Sequence, residues 1–197
     1  MKSALITKTG LRKRGANGVD AIVFVDGDAR SGDERWADVK ALPHPKIELG
    51  SEIWLESGEK TRLPFNALPW ILPDRTGVLV LFDPGEYVKP DGTDVFPKPN
   101  NAAIYNADGG LRFQLRLPEG HYRAGRIGGI HSGGVPTDDA IRTFVKRLGI
   151  HSESIPDSFE GMLGVVVAAG PDAPPEWVYL VDPNSPELIP TGQWVRW

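Results

Sequence analysis

The chain has 197 residues, a net charge of -4 and 40 % hydrophobic residues, enough apolar material for a core that needs no cross-links. It contains no cysteine, which excludes a disulfide framework, a thiolate nucleophile and thiolate zinc sites, and points to a reducing compartment. The acidic balance argues against general binding of nucleic acid or anionic membranes, and no apolar run approaches a membrane span or a signal peptide, so a soluble cytoplasmic protein is expected.

Punctuation by 23 Gly and 18 Pro keeps every apolar run short. The expected class is therefore mainly β (α+β), with antiparallel sheets of short strands and hairpins and one accessory helix near 137–148. The chain reads as a single domain, 1–197, or as two packed sub-domains, 1–75 and 76–197.

The basic run Lys8 to Arg14 comes first. It reads either as a phosphate-contacting arm or as a solvated turn around Gly10 and Gly15 after a first strand; the lack of interleaved aromatics favours the turn. Ala21 to Val25 is continuously apolar and ends in Asp26-Gly27-Asp28, a strand closed by turn residues. The acidic residues Asp20, Asp26, Asp28, Asp33, Glu34 and Asp38 read as a solvated loop, since the further ligands of a calcium loop are out of register. Residues 47–56 alternate: Ile47, Leu49, Ile53 and Leu55 are expected inside, and Glu48, Glu52, Trp54 and Glu56 on the opposite, wet face. With Ser57-Gly58-Glu59 as a hairpin loop, Ile53 would meet Leu63 inside, while Trp54 meets Arg62 and Glu56 meets Lys60 outside. Val78 to Phe82 is apolar on both faces, as in a central strand.

Asn106-Ala107-Asp108-Gly109 is the strongest turn signal, with Gly109 in the left-handed position and Tyr105 paired with Leu111 and Ala103 with Phe113. The strand after it would turn Leu111, Phe113, Leu115 and Leu117 inward and Arg112, Gln114 and Arg116 outward. The helix is expected to open on Thr137 as N-cap, with Asp138 and Asp139 at the positive end of its dipole and Lys146 and Arg147 at the negative end. Ile141, Phe144, Val145 and Leu148 form its buried stripe and Gly149 terminates it. Residues 163–169 and 177–181 form a further hairpin, 194–197 an edge strand, and 83–101 and 182–193 long loops rich in Pro and Asp.

Few residues carry a chemical signal. The Gly-rich stretch 125–134 precedes the helix, where backbone amides can cradle phosphate. No clear strand feeds it, however, and Asp138-Asp139 would repel an anion there, so a tight loop or a bulged edge strand is the simpler reading. A small enzyme or ligand binder would use 121–134 for a phosphate-bearing or sugar ligand, with His131 as acid/base and Arg126 as anion clamp. His44, His121, His131 and His151 lack the spacings of convergent metal ligands, and His131 and Ser132, being adjacent, would point to opposite faces of a strand. No metal or other cofactor is expected, and no catalytic residue is assigned. The remaining feature is an indole among carboxylates. Glu48, Glu52, Trp54, Glu56 and Arg62 form a candidate partner-binding set, because Trp and Arg anchor many interfaces within a charged rim. The simpler alternative is a local cation–π pair of Trp54 with Arg62 that only covers the sheet.

The turn-rich second half, with Asn101-Ala102-Ala103-Ile104-Tyr105-Asn106-Ala107-Asp108-Gly109 leading into an alternating strand and Pro190-Thr191-Gly192-Gln193-Trp194 near the end, resembles small cytoplasmic immunity proteins of bacterial polymorphic toxin systems. The resemblance covers residues 76–197 and implies a protein without catalysis that neutralises a cognate toxin by binding it. It transfers no functional residue. The expected partner is thus a toxin protein, with neither nucleic acid nor membrane involved. An acidic inhibitor surface would speed encounter with a basic toxin.

Overall fold

Short apolar runs bounded by glycine and proline fold, in a computed structural model that describes residues 5–118, 125–150, 155–168 and 176–195, into strands of three antiparallel four-stranded sheets. Two helices accompany them among the described residues. No helix there is long and apolar enough to cross a membrane. The chain divides into two compact units, Met1–Val95 with Ala103–Phe113, and Phe96–Ala102 with Gln114–Trp197.

In the first unit, β1 (Ile6–Arg14), β2 (Asp20–Asp26), β3 (Ile47–Leu55) and β4 (Lys60–Arg62) form a sheet in the order β2-β1-β3-β4. The basic run is therefore an inner strand, paired on both sides, and not a solvated turn. The reason is period two: Thr9 and Leu11 are buried with Val23, Ile53 and Leu55, while the intervening residues Lys8, Gly10 and Arg12 face the other way.

β3 departs from the expected alternation at one point. Gly50 has a φ of +112°, and the register passes from Arg12 opposite Gly50 to Lys13 opposite Glu48, so Leu49 is an extra, bulged residue. Below the bulge the faces exchange. Ile47 is 59 % exposed and Leu49 half-buried, where both were expected inside. The β3–β4 hairpin also differs in register. Gly58, with a φ of +84°, occupies the third position of a loop of residues 56–58, closed by Leu55 N donating to Glu59 O at 3.0 Å. Glu52 consequently faces Arg62, Ile53 faces Thr61 and Trp54 faces Lys60. This is a slip of two residues, which preserves the faces and changes the partners.

Residues 31–41, expected as acidic loop, form α1 (Gly32–Ala41). Ser31 and Glu34 make a reciprocal capping box, Ser31 N donating to Glu34 Oε2 at 2.8 Å, and Val39 and Leu42 are buried. Arg35 Nη1 donates to Val25 O at 2.8 Å, covering part of the β2 edge.

The second sheet contains β5 (Pro69–Ile71), β6 (Gly77–Leu81), β7 (Ala102–Asn106) and β8 (Leu111–Gln114) in that order. β5 pairs with β6, so residues on both sides of position 75 share this sheet. Val78, Leu79 and Val80 are fully buried, as a central strand requires. The turn at 106–110 has the expected geometry: Asn106 N donates to Gly110 O at 2.8 Å and Gly109 has a φ of +84°. Leu111, however, is 51 % exposed, and Arg112 is half-buried with Nε on Asn106 Oδ1 and Nη2 on Thr76 O. Phe65, Phe82, Tyr87 and Tyr105 form an aromatic cluster, and burial pushes the Tyr105 hydroxyl pKa up.

In the second unit, β9 (Arg126–His131), β10 (Leu163–Ala168), β11 (Glu176–Val181) and β12 (Ile189–Val195) are ordered β12-β11-β10-β9. β10 and β11 pair as expected, Leu163 opposite Val181. β12 begins at Ile189, inside the stretch expected to be loop, because Ile189 and Pro190 pair with Leu180 and Tyr179. The Gly-rich stretch is an edge strand, bulged at Gly128. Ile127 N and O, which face away from β10, are both bonded by the buried Asn101 carboxamide, at 2.8 and 3.0 Å. α2 (Asp138–Arg147) is capped by Thr137, and Gly149 follows it with a φ of +73°. Ile141 and Val145 pack with Phe159, Leu180 and Ile189. His121, His151 and residues 169–175 and 196–197 lie outside the described residues.

Candidate partner-binding face

The sheet face turned away from the Thr9–Leu11 core row carries most of the candidate residues. Across the strands it holds the rows Phe24–Gly10–Glu52–Arg62 and Lys8–Trp54–Lys60, with Ile22–Arg12–Gly50 beside them. β2 and β3 are separated by β1, roughly 9–10 Å between their axes. Their rings nevertheless meet, Phe24 and Trp54 lying 5.2 Å apart between centroids, because Gly10 places no side chain between them. That glycine is also sterically required, since a Cβ there would stand 2.6 Å from Val23 O.

Glu52 is the anchor of the charges. It is 2 % exposed; Arg12 Nη2 donates to its Oε2 at 2.8 Å, Arg12 Nε lies 2.6 Å from Oε1, and Arg62 Nε donates to Oε1 at 3.3 Å. The hydrogen bonds to Glu52 hold the Arg12 pKa above its ordinary value. Arg14 Nε donates to Asp20 Oδ1 at 2.6 Å, which lowers the Asp20 pKa. Arg30, whose guanidinium lies 5.4 Å from the Phe24 ring centre, holds Asp28 down to about 2 by side-chain and then backbone hydrogen bonds.

Glu52, Trp54 and Arg62 are thus brought together. Glu48 is not among them: the bulge sets it opposite Lys13, whose Nζ is 2.7 Å from Glu48 Oε1. Glu56 belongs to the hairpin loop and pairs with Arg75 at 2.7 Å. Each carboxylate expected to surround the indole therefore has a cation of its own. The indole is half-buried, with Lys60 Nζ 5.8 Å from its centre. Arg62, which the simpler alternative places over that ring, sits on Glu52 instead.

Exposure separates the two signs. The Arg62, Arg14 and Arg30 side chains are 66 %, 47 % and 40 % exposed, against 2 %, 25 % and 6 % for Glu52, Asp20 and Asp28. These three carboxylates form a sunken layer with the guanidinium tips above it, while Asp38, 3.9 Å from Arg30, is itself 70 % exposed. At the β2 end, the face continues into a groove of about 580 Å³, where Val19, Ile22, Phe24 and Pro43 supply apolar walls and Arg12 and Asp38 polar ones. Lys8, Arg12 and Phe24 were missed as site residues. Their signal was the alternate spacing of Lys8, Gly10, Arg12 and Arg14, legible once the run is known to be a strand.

The alternative site spreads out. Arg126 and His131 stand at opposite ends of β9, roughly 16 Å apart at strand rise, too far to converge on one small group. The His131 ring lies against Gly133, with Nε2 3.4 Å from Gly134 O. A separate groove of about 660 Å³ runs between α2 and β12, lined by Phe144, Gly192 and Trp194. No group of three or more His, Asp or Glu that could hold a metal ion occurs among the described residues.

Comparison with protein-family models, curated proteins and solved structures finds no match.

Proposed function

We propose that this chain is a non-enzymatic protein-binding module, most simply an immunity-type inhibitor that acts in the cytoplasm and neutralises a cognate bacterial toxin by covering it. The observation that carries the reading is the Phe24–Trp54 pair, 5.2 Å apart on a sheet face and flanked by the exposed Arg62. An aromatic centre with an arginine beside it and charge around it is the usual composition of an interface hot spot. Backbone pairing on β1, β3 and β4 fixes the strands from which these side chains rise, so no segment has to fold on docking. Trp54 and Arg62 are the anchors, and Glu52 holds Arg62 in place.

The test is growth of a bacterium that expresses this chain together with a toxin domain drawn from the genes flanking its own. The wild-type chain restores growth, and Trp54→Ala weakens binding by about thirtyfold (about 2 kcal/mol) and reduces protection. Absence of protection by the wild-type chain, or unchanged affinity of Trp54→Ala in calorimetry, would overturn the proposal.

A further inference from the structure

We infer that the segment of the partner held by this face is acidic: a protein strip rich in Asp and Glu lies across β1, β3 and β4, carboxylates toward Lys8, Lys60 and Arg62. The inference rests on the binding role proposed above and adds the partner's chemistry, opposite in sign to that expected from the sequence.

The whole chain carries a net charge of -4, yet this face holds Lys8, Arg12, Arg14, Arg30, Lys60 and Arg62 against Asp20, Asp28, Glu52 and, at the groove, Asp38. The exposed carboxylates Glu56 and Glu59 belong to the hairpin end and not to the rows. Lys8 and Lys60 make no ion pair among the described residues; each lies over an aromatic ring, at 5.0 and 5.8 Å. Arg62 uses only Nε on Glu52, and its Nη nitrogens remain as donors on a side chain that is 66 % exposed. A guanidinium fork fits a carboxylate in two-point fashion.

Single-stranded nucleic acid is the competing anion, and the rings disfavour it. Base stacking needs an open aromatic face. Lys8 and Arg30 both lie over Phe24, and Lys60 lies over Trp54, so those faces already hold cations. A carboxylate strip uses those cations where they stand and closes over the half-buried indole beneath Lys60.

The experiment uses the full chain, labelled with nitrogen-15, and three probes of equal length: a peptide alternating Glu and Ser, its Lys–Ser counterpart, and an oligothymidylate. The Glu–Ser peptide is expected to shift amide signals of Lys8 to Arg14 and Lys60 to Arg62 and the Trp54 indole signal. Its affinity should fall about tenfold between low and physiological salt. Lys60→Glu with Arg62→Glu should abolish binding, and Lys60→Gln with Arg62→Gln, which introduces no new repulsion toward Glu52, should weaken it severalfold. Unmoved signals, tighter binding of the oligothymidylate, or full binding by the glutamine variant would overturn the inference. Should the peptide fail while Trp54→Ala still reduces toxin protection, the acidic strip falls and the binding role stands. Peptide binding with Trp54→Ala fully protective would sink the role alone.

Discussion

Removing Arg12 should cost more than removing Glu52, although the two form one ion pair. Glu52 is 2 % exposed and the Arg12 side chain 19 %. In Arg12→Met the carboxylate stays buried and loses its contacts at 2.8 and 2.6 Å, keeping only Arg62 Nε at 3.3 Å. A unit charge pair near 4 Å at an effective dielectric of 20 is worth about 4 kcal/mol, and orphaning a buried partner costs about 3–5 kcal/mol. Because Arg62 remains, the expected loss for Arg12→Met is about 3 kcal/mol. In Glu52→Met the cations left behind reach water, Arg62 easily and Arg12 in part, and the expected loss is about 1.5 kcal/mol. The double variant places two apolar side chains together and should lose only about 1 kcal/mol, well below the sum of the singles. Urea denaturation of the four proteins at neutral pH measures the cycle. Additive losses, or Glu52→Met costing as much as Arg12→Met, would refute the claim that Glu52 is the desolvated member.

Gly10→Ala should destabilise the first unit by roughly 1–3 kcal/mol, since its Cβ would press on Val23 O at 2.6 Å and Ile22 Cγ2 at 2.9 Å; an unchanged unfolding midpoint would mean β1 and β2 are farther apart than described. Ser31→Ala removes the α1 cap and should cost about 1 kcal/mol in the same assay, with a matching loss of amide protection in the first turn. Asp28 has a folded pKa near 2, below its ordinary 3.8, so its contribution is complete above the ordinary value and is lost as pH falls through the folded one. Carboxyl-carbon titration should place that midpoint near 2 and return it toward the ordinary range in Arg30→Ala; no movement would assign the shift to another cause. Gly192→Ala should be destabilising by about 2 kcal/mol or more, because the site combines a φ of +76° with a Phe144 ring carbon 2.8 Å from the new methyl; a stable variant would show that Phe144 can move aside.

The features legible in the sequence were those governed by near neighbours. Thr137, the paired charges at each end and Gly149 delimit α2 without reference to the rest of the chain, and Gly109 sets its own turn. The β-rich class followed from run length alone. α1 escaped because Trp36, Val39 and Leu42 make only a thin apolar stripe, although Ser31 and Glu34 carry the capping-box signature. The position of Glu48 depends on one bulged residue, Leu49, and that of Arg62 on which loop position Gly58 takes. The sign of the face was the least legible property. Which charges are sunk and which stand clear is decided by strands distant in sequence, as when Arg12 reaches Glu52 across the sheet.

Asn101 offers a last consequence. An outermost strand with unmet amide and carbonyl groups can template a copy of itself, the first step toward fibrils. By answering both groups of Ile127 with one carboxamide, the side chain acts as a one-residue surrogate for a neighbouring strand. The blocked position interrupts the otherwise glycine-rich rim, so a second molecule cannot zip along it continuously. Polymerisation is thereby resisted without adding any charge to that rim.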